Sequence, residues 1–207
     1  MVRVLKPDLD SLAEAARVVA NGGLICYPTD TVYGLGCDPL NASAVQRAIK
    51  AKSGRTKPMP VLVKSLEDAE RIAELSNQAR RLAQRFWPGP LTLVLPARKV
   101  LPADLVPQGT VGVRRPDHAI CLDLLGLCSG HLVGTSANLT GRSPLITAED
   151  VVKELGDRVD LVLDGGRAPL GIASTVVDLS KDRLELLREG PISRGEIMKF
   201  LKHRETG

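Results

Sequence analysis

The sequence has few aromatic residues and few cysteines. Aromatic side chains make up 2% of the 207 residues, so the core must be built from Leu, Val, Ile and Ala, and stacking platforms for single-stranded nucleic acid are scarce. The four cysteines form no CxxC pair, which favours reduced core thiols over a metal site. The three histidines are scattered along the chain, so zinc binding has little support and we expect no protein-held metal.

Long apolar runs are also missing. No run reaches the roughly 18 residues that a membrane-spanning helix needs, and the first residues, MVRVLKP, lack the apolar centre of a signal peptide. We therefore expect a soluble, cytoplasmic protein without membrane contacts. The length suits a single domain, residues 1–207, whose core needs neither a metal nor a disulfide.

Acidic residues are absent from Pro39 to Leu66, and this gap localises the positive charge of the chain. Outside the window 22 cations face 24 acids, so the net charge of +4 points to one anion-binding place rather than to a generally basic surface. The favourable effect of cations at a helix end explains Lys50 and Lys52 but not the cations beyond them, whereas a polyphosphate ligand explains all of them. The cations of the window are Arg47, Lys50, Lys52, Arg55, Lys57 and Lys64.

Glycine-rich nucleotide motifs are missing as well. No GxxxxGK[ST] occurs, and no GxGxxG lies between a strand and a helix, so a nucleotide must be held by side chains. The run DGGRAPLG, residues 164–171, is the nearest candidate, and plain turns explain its glycines equally well.

GTSAN, residues 134–138, is the other short motif of interest. It resembles the nucleophile elbow of serine hydrolases, but Asn138 replaces the final glycine, and no spacing singles out His118 or His131 as the base. Ser136 and Asn138 follow an apolar strand and are better placed to bind a ligand at its carboxyl end. The alternative is a helix cap or an Asx turn.

Amphipathic stretches alternate with short apolar runs bounded by Gly and Pro, a pattern typical of α/β proteins. Because some strands follow one another directly, we expect an open, twisted mixed sheet with flanking helices. The predicted helices are Asp8–Asn21, NASAVQRAIKAK, SLEDAERIAELS, NQARRLAQRFW, AICLDLLGLC, TAEDVVKEL and SRGEIMKFLKH. The predicted strands are LICYP, PVLVK, LTLVLPA, VGVRRP, HLVGT, DLVLD, STVVDLS and RLELLRE.

Seven motifs stand in order along almost the whole chain, from about Leu5 to Phe200. They are GGLICYPTDTVYGLGCD, AIKAKSGRTKPMPVLV, FWPGPLTLVLP, VGVRRPDH, GTSANLTG, STVVDL and LLREGPIS. Together they resemble the YrdC-type threonylcarbamoyl-AMP synthases. The resemblance implies an open α/β fold around a large basic cavity, without the extra carboxyl-terminal domain of longer relatives.

The resemblance also implies a reaction. L-threonine, bicarbonate and ATP, with Mg²⁺, are expected to be joined into threonylcarbamoyl-AMP with release of pyrophosphate. A downstream threonylcarbamoyl-transferase complex is then expected to use this product for the threonylcarbamoyladenosine modification of tRNA.

Individual residues match functional positions of these synthases. Lys52 and Arg55 match the Lys and Arg implicated in ATP binding and catalysis, although the usual spacing is one residue shorter. The positions expected to bind ATP are Lys52, Arg55, Thr110, Ser136, Asn138 and Arg188. Those expected to hold threonine are Thr31, Lys64, Arg114 and Ser174, of which Lys64 stands where many relatives have a histidine. An arginine fork suits the two oxygens of an amino-acid carboxylate.

Two other functions are compatible with the sequence. One is a module that binds double-stranded RNA or tRNA without chemistry, and its affinity would fall steeply with salt. The other is the carbamoyl-transfer module of hydrogenase-maturation proteins, which normally lies beside acylphosphatase and zinc-finger segments.

Overall fold

The computed structural model describes residues 2–53, 58–106, 108–181 and 183–202. Within these ranges the helices are α1 (Leu9–Ala20), α2 (Ala42–Ala51), α3 (Leu66–Ile72), α4 (Asn77–Phe86), α5 (Ala119–Leu127), α6 (Ala148–Leu155) and α7 (Arg194–Lys202). The strands are β1 (Arg3–Leu5), β2 (Ile25–Tyr27), β3 (Gly34–Gly36), β4 (Val61–Val63), β5 (Leu91–Pro96), β6 (Thr110–Arg114), β7 (His131–Val133), β8 (Thr135–Ser136), β9 (Leu161–Leu163), β10 (Thr175–Asp178) and β11 (Glu185–Arg188).

Across the described ranges the strands form two mixed sheets, where the sequence predicted one. The first sheet has the order β1-β9-β2-β3-β8, and the second has the order β11-β10-β5-β6-β4-β7. Each sheet combines parallel pairs, such as β1 with β9 and β5 with β10, with antiparallel pairs such as β2 with β3 and β5 with β6. The prediction of a mixed α/β fold is therefore confirmed.

Polar side chains fix where the helices begin. The Asp8 carboxylate accepts a hydrogen bond from the backbone N–H of Ser11, and the Asn41 side chain accepts one from Ala44, which satisfies donors that α1 and α2 leave unpaired at their first turns. Ser65, Ser76 and Thr147 cap α3, α4 and α6 in the same way. These caps place the helix starts within one or two residues of the predicted ones.

Gly134 divides the predicted strand HLVGT between the two sheets. Residues 131–133 form β7 in the second sheet, and Thr135–Ser136 form β8 in the first. A Cβ atom on Gly134 would lie 2.3 Å from Leu62 Cγ, so any larger residue at this position would clash with Leu62. The chain thus passes from the second sheet to the first directly after β7. This crossover places Ser136 in the first sheet.

The core is aliphatic, as the composition predicts. Two clusters of buried side chains lie on opposite sides of the second sheet at β4, where Val61 and Val63 belong to one cluster and Leu62 to the other. Cys26, Cys37 and Cys121 are buried free thiols, and Cys128 is half-buried. None of the helices in the described ranges is long and apolar enough to cross a bilayer.

Candidate active site

A cavity of about 580 Å³ is lined by residues of both sheets. The second sheet forms its floor, and Gly34 and Ser136 of the first sheet form part of its wall. A volume of this size is typical of small-molecule sites. Six of the ten predicted site residues line the cavity: Thr31, Thr110, Arg114, Ser136, Ser174 and Arg188.

Arg114, the last residue of β6, is 5% exposed and makes three side-chain contacts. Its Nη2 pairs with Asp30, its Nη1 donates to Thr31 Oγ1 over 2.8 Å, and its Nε donates to the carbonyl oxygen of Gly89 over 3.0 Å. A guanidinium has five N–H donors, so two remain without a partner among the described residues and can meet a carboxylate. Burial lowers the pKa of Arg114, and the charge of Asp30 opposes this shift.

Asp30 is a site residue that the sequence reading missed. Its carboxylate is as buried as the guanidinium that it pairs with, and its Oδ2 has no hydrogen-bond partner in the described part of the chain. The loop DGGRAPLG holds the backbone here, because Leu170 N–H donates to Asp30 O over 3.0 Å and Gly171 N–H donates to Thr31 O over 2.9 Å. The glycines of that loop therefore serve a turn. The signal available in the sequence was the polar run PTDT directly after a buried strand.

Arg188, the last residue of β11, lies over Ser174. Its Nε donates to Ser174 O over 2.9 Å, and the Ser174 hydroxyl lies 2.8 Å from Thr92 Oγ1. Burial lowers the pKa of Arg188, and the positive charge of Arg114 lowers it further. The two guanidinium groups are thus near enough to repel each other, and an anion placed between them would relieve this repulsion.

Lys52 supports the GTSAN segment from below. Its side chain is 0% exposed, and its Nζ donates to the carbonyl oxygens of Ser136 and Asn138, the latter over 2.6 Å. The Asn138 side chain donates to Leu139 O and Arg142 O, each over 2.8 Å, and closes a local turn. Neither Lys52 nor Asn138 lines the cavity in the described part of the chain. Ser136, whose carbonyl oxygen accepts from Lys52, does line it.

His118 and His131, the histidines within the described ranges, form no catalytic pair with Ser136. The ring nitrogens of His131 lie 3.1 Å from Ser129 O and 2.8 Å from Asp68 O. Within the described ranges neither His131 nor His118 is hydrogen-bonded to Ser136, and the hydrolase reading of GTSAN has no structural support.

Lys64, like Lys52 and Asn138, does not line the cavity. Arg55 lies outside the described residues. Lys64 is exposed and extends along α5, where a Cβ atom on Gly126 would lie 2.4 Å from its Nζ. The physical reason is that β4 ends at Val63 and Ser65 caps α3, so the chain turns away before Lys64 can reach Thr31 and Arg114.

The expected large basic cavity is not shown. Among the described residues, the charged side chains that line the observed cavity are Arg114, Arg188 and Asp178. The same residues contain no group of three or more His, Cys, Asp and Glu side chains that could hold a metal ion. A donor set for a resident Mg²⁺ is therefore not found among the described residues.

The model of the Sua5/YciO/YrdC family, described as "Telomere recombination", matches residues 17–190. The chain belongs to the Sua5/YciO/YrdC family. A Sua5/YciO/YrdC relative, the threonylcarbamoyl-AMP synthase of Idiomarina loihiensis, is 38% identical over 169 residues, which are 75% of this chain and 88% of that protein.

Longer members of the Sua5/YciO/YrdC family are similar to this chain over part of their length. The threonylcarbamoyl-AMP synthase of Pyrococcus abyssi is 40% identical over 192 residues, which cover 90% of this chain and 56% of the relative. The crystal structure of P. abyssi Sua5 complexed with L-threonine matches with a TM-score of 0.92 and 35% identity, over 97% of this chain and 61% of that one. This chain thus spans little more than half of that relative.

Proposed function

We propose that this protein is a threonylcarbamoyl-AMP synthase, which joins L-threonine, bicarbonate and ATP and releases pyrophosphate. The observation that carries the proposal is the pair of arginines, Arg114 on β6 and Arg188 on β11, that face one cavity from the same sheet. The similarity to a Sua5 protein whose crystal structure contains L-threonine supports the choice of amino acid.

Threonine is proposed to bind at Arg114. The two available N–H groups of the guanidinium fit the two carboxylate oxygens, and Asp30 and Gly89 hold the other side of the fork. The hydroxyls of Thr31 and Ser174 line the cavity beside it and can bond the side chain or amine of the substrate.

ATP is proposed to bind across the same floor, with its phosphates toward Arg188 and Ser136. Thr110 lies on the same strand as Arg114, four residues earlier, and suits the nucleoside end. Lys52 and Arg55 are proposed to act on the triphosphate. Lys52 also donates to the backbone of Ser136 and Asn138, and in this way it stabilises the wall that the phosphates would touch. Asn138 would then act through the turn that it closes.

The chemistry needs no covalent intermediate with the protein. The neutral amine of threonine adds to the carbon of bicarbonate and water leaves, which gives a carbamate. A carbamate oxygen then attacks the α-phosphorus of MgATP, the bond to the β-phosphate oxygen breaks, and pyrophosphate leaves with the electron pair. Fixed guanidinium groups stabilise the charge that moves onto the leaving group, so positioning and electrostatics supply the catalysis.

The product is proposed to pass to a threonylcarbamoyl-transferase complex that modifies tRNA in the cytoplasm. Direct binding of double-stranded RNA or tRNA is not required for the synthase step. The comparisons favour the synthase over an RNA module, and salt distinguishes the two, because RNA binding weakens steeply with ionic strength and needs neither threonine nor ATP.

The test is pyrophosphate release by the purified protein, with each substrate omitted in turn. The proposal predicts release only when threonine, bicarbonate and ATP are all present. Release without threonine, or none in the full mixture, contradicts it. Serine and valine are informative substitutes for threonine, since each lacks one of its two side-chain groups.

A further inference from the structure

The floor of the cavity has two rows of side chains that differ in charge. In the first row Thr92 pairs with Val176, which pairs with Arg188 on the next strand. In the second row Val94 pairs with Gly112 on one side and with Asp178 on the other. Arg114 is two residues beyond Gly112 on the antiparallel strand and therefore joins the first row. One row thus carries both arginines, and the next carries a carboxylate.

Sheet geometry fixes how far apart these groups are. Two residues along a strand span about 6.6 Å and neighbouring strands are about 4.8 Å apart, so the Cα atoms of Asp178 and Arg188 are separated by about 8 Å. Asp178 lies two strands from Arg114 as well as one row away, which is about 12 Å. Gly89, Thr31 and Asp30 hold the Arg114 guanidinium in place, so a threonine whose carboxylate is on Arg114 does not bring its amine, one carbon away, to Asp178.

A carboxylate in this place repels phosphates and attracts hydroxyl donors. The phosphates of a nucleotide are drawn to the arginine row, and the next group along the nucleotide is the ribose, whose hydroxyls are uncharged donors. One sugar ring separates the 5′-phosphate from the 2′- and 3′-hydroxyls, a distance comparable with that between Arg188 and Asp178. Carboxylates accept such hydroxyls in other nucleotide sites.

From this arrangement we propose that Asp178 binds the ribose hydroxyls of ATP and selects ribonucleotides over deoxyribonucleotides. The Asp178 Oδ1 atom accepts from Ser180 N–H over 2.8 Å, which orients the carboxylate and leaves lone pairs on both oxygens for the ribose. The inference rests on the proposed synthase function and adds to it a residue that recognises the ribose of ATP.

The experiment measures kcat/KM for pyrophosphate release with ATP, 2′-deoxyATP and 3′-deoxyATP. In the unmodified protein at least one deoxynucleotide is expected to be used about 10- to 100-fold less well than ATP, the scale for a hydrogen bond to a charged group. In Asp178→Ala this preference is expected to collapse to about threefold, because ATP use falls while use of that deoxynucleotide is unchanged.

Two further variants separate the sugar contact from structure. Asp178→Asn keeps an acceptor for Ser180 N–H, so it folds like the parent, while it loses the charge and replaces the second acceptor oxygen with an amide donor. Glu185→Ala removes the carboxylate that pairs with Asp178 in the same row but does not line the cavity, and its preference for ATP is expected to be that of the parent. Thermal melts confirm folding.

Calorimetric binding of the three nucleotides repeats the comparison without turnover. If ATP binds with the predicted sugar preference but no pyrophosphate appears, the synthase proposal fails and the role of Asp178 stands. A parent protein that treats all three nucleotides alike, or an Asp178→Ala variant that keeps the preference, overturns the inference.

Discussion

Arg114 and Asp30 form an ion pair in which each side chain is 6% exposed. The two residues are 84 positions apart in the chain and meet where the first sheet faces the floor of the cavity. A buried pair of this kind adds little net stability, but each partner alone is costly, because an unpaired charge is left without solvent. The pair therefore keeps a charged guanidinium fixed at a place where an anionic substrate can reach it.

Replacement of Arg114 tests its contact with the substrate. Arg114→Lys keeps a positive charge for Asp30 but loses the planar fork, and we expect threonine affinity to fall about tenfold or more while ATP affinity changes little. Isothermal titration measures both. Arg115→Ala is the control, since Arg115 is the next residue along the chain and does not line the cavity. Unchanged threonine affinity in Arg114→Lys and Arg114→Ala would remove Arg114 from the site.

Removal of Asp30 separates stability from binding. Asp30→Ala leaves Arg114 buried without its partner, and the free energy of unfolding is expected to fall by about 3–5 kcal/mol. The double variant with Asp30→Leu and Arg114→Met is expected to regain most of this loss and still not bind threonine. Urea unfolding and threonine titration give the two readings. A double variant that binds threonine normally would show that the pair is only structural.

Lys52 is fully buried, whereas Arg47, Lys50 and Lys64 of the same window are exposed. Lys52→Ala removes a charged donor from the carbonyl oxygens of Ser136 and Asn138, so we expect a loss of about 1–3 kcal/mol in stability as well as a fall in turnover of about 10²-fold. Lys50→Ala, exposed on the same helix, is expected to change neither. Near-normal turnover in a folded Lys52→Ala protein would exclude a role for Lys52 in catalysis, both through the phosphates and through its contacts with Ser136 and Asn138.

Two buried thiols predict a loss of stability at high pH. Burial raises the pKa of Cys26 and of Cys37 from 9.0 to about 12. Above pH 9 the unfolded chain loses these protons and the folded protein keeps them, so the stabilisation is complete below pH 9 and is lost as the pH rises toward 12. Each thiol contributes a slope of up to about 1.4 kcal/mol per pH unit. Urea midpoints between pH 8 and 10.5 measure the slope, which Cys26→Ala is expected to reduce and which a flat profile would contradict.

The helices were predictable because their signals are local. Asp8, Asn41 and Ser76 cap helices that the hydrophobic pattern had already located, and no distant contact is needed to read them. The strands β1 and β3 were missed, since each has three residues and β3 is Gly-Leu-Gly, which has no β-propensity of its own. β1 pairs with β9, which is remote in the sequence, and β3 pairs with the remote β8 as well as with its neighbour β2.

The sequence motifs identify several residues that line the cavity. They do not identify contacts between residues that are distant in the sequence. Arg114 and Ser174, two of the residues that the resemblance assigns to threonine, both line the cavity. The partner of Arg114 could not be read from the sequence, because nothing local to Asp30 says which cation it meets. For Lys64 the motif predicts a contact with threonine, but the structure does not place it in the cavity. The chain turns into α3 directly after it, and its side chain lies along α5.

The central claim is that one cavity joins the three substrates into a single product, and isotope labelling tests it most directly. The protein is incubated with threonine, MgATP and ¹³C-bicarbonate, and the quenched mixture is analysed by mass spectrometry. The account predicts threonylcarbamoyl-AMP that carries one ¹³C atom, in an amount equal to the pyrophosphate released, and its loss in Arg114→Ala. An unlabelled adenylate of threonine itself, or pyrophosphate without the labelled product, would contradict the account.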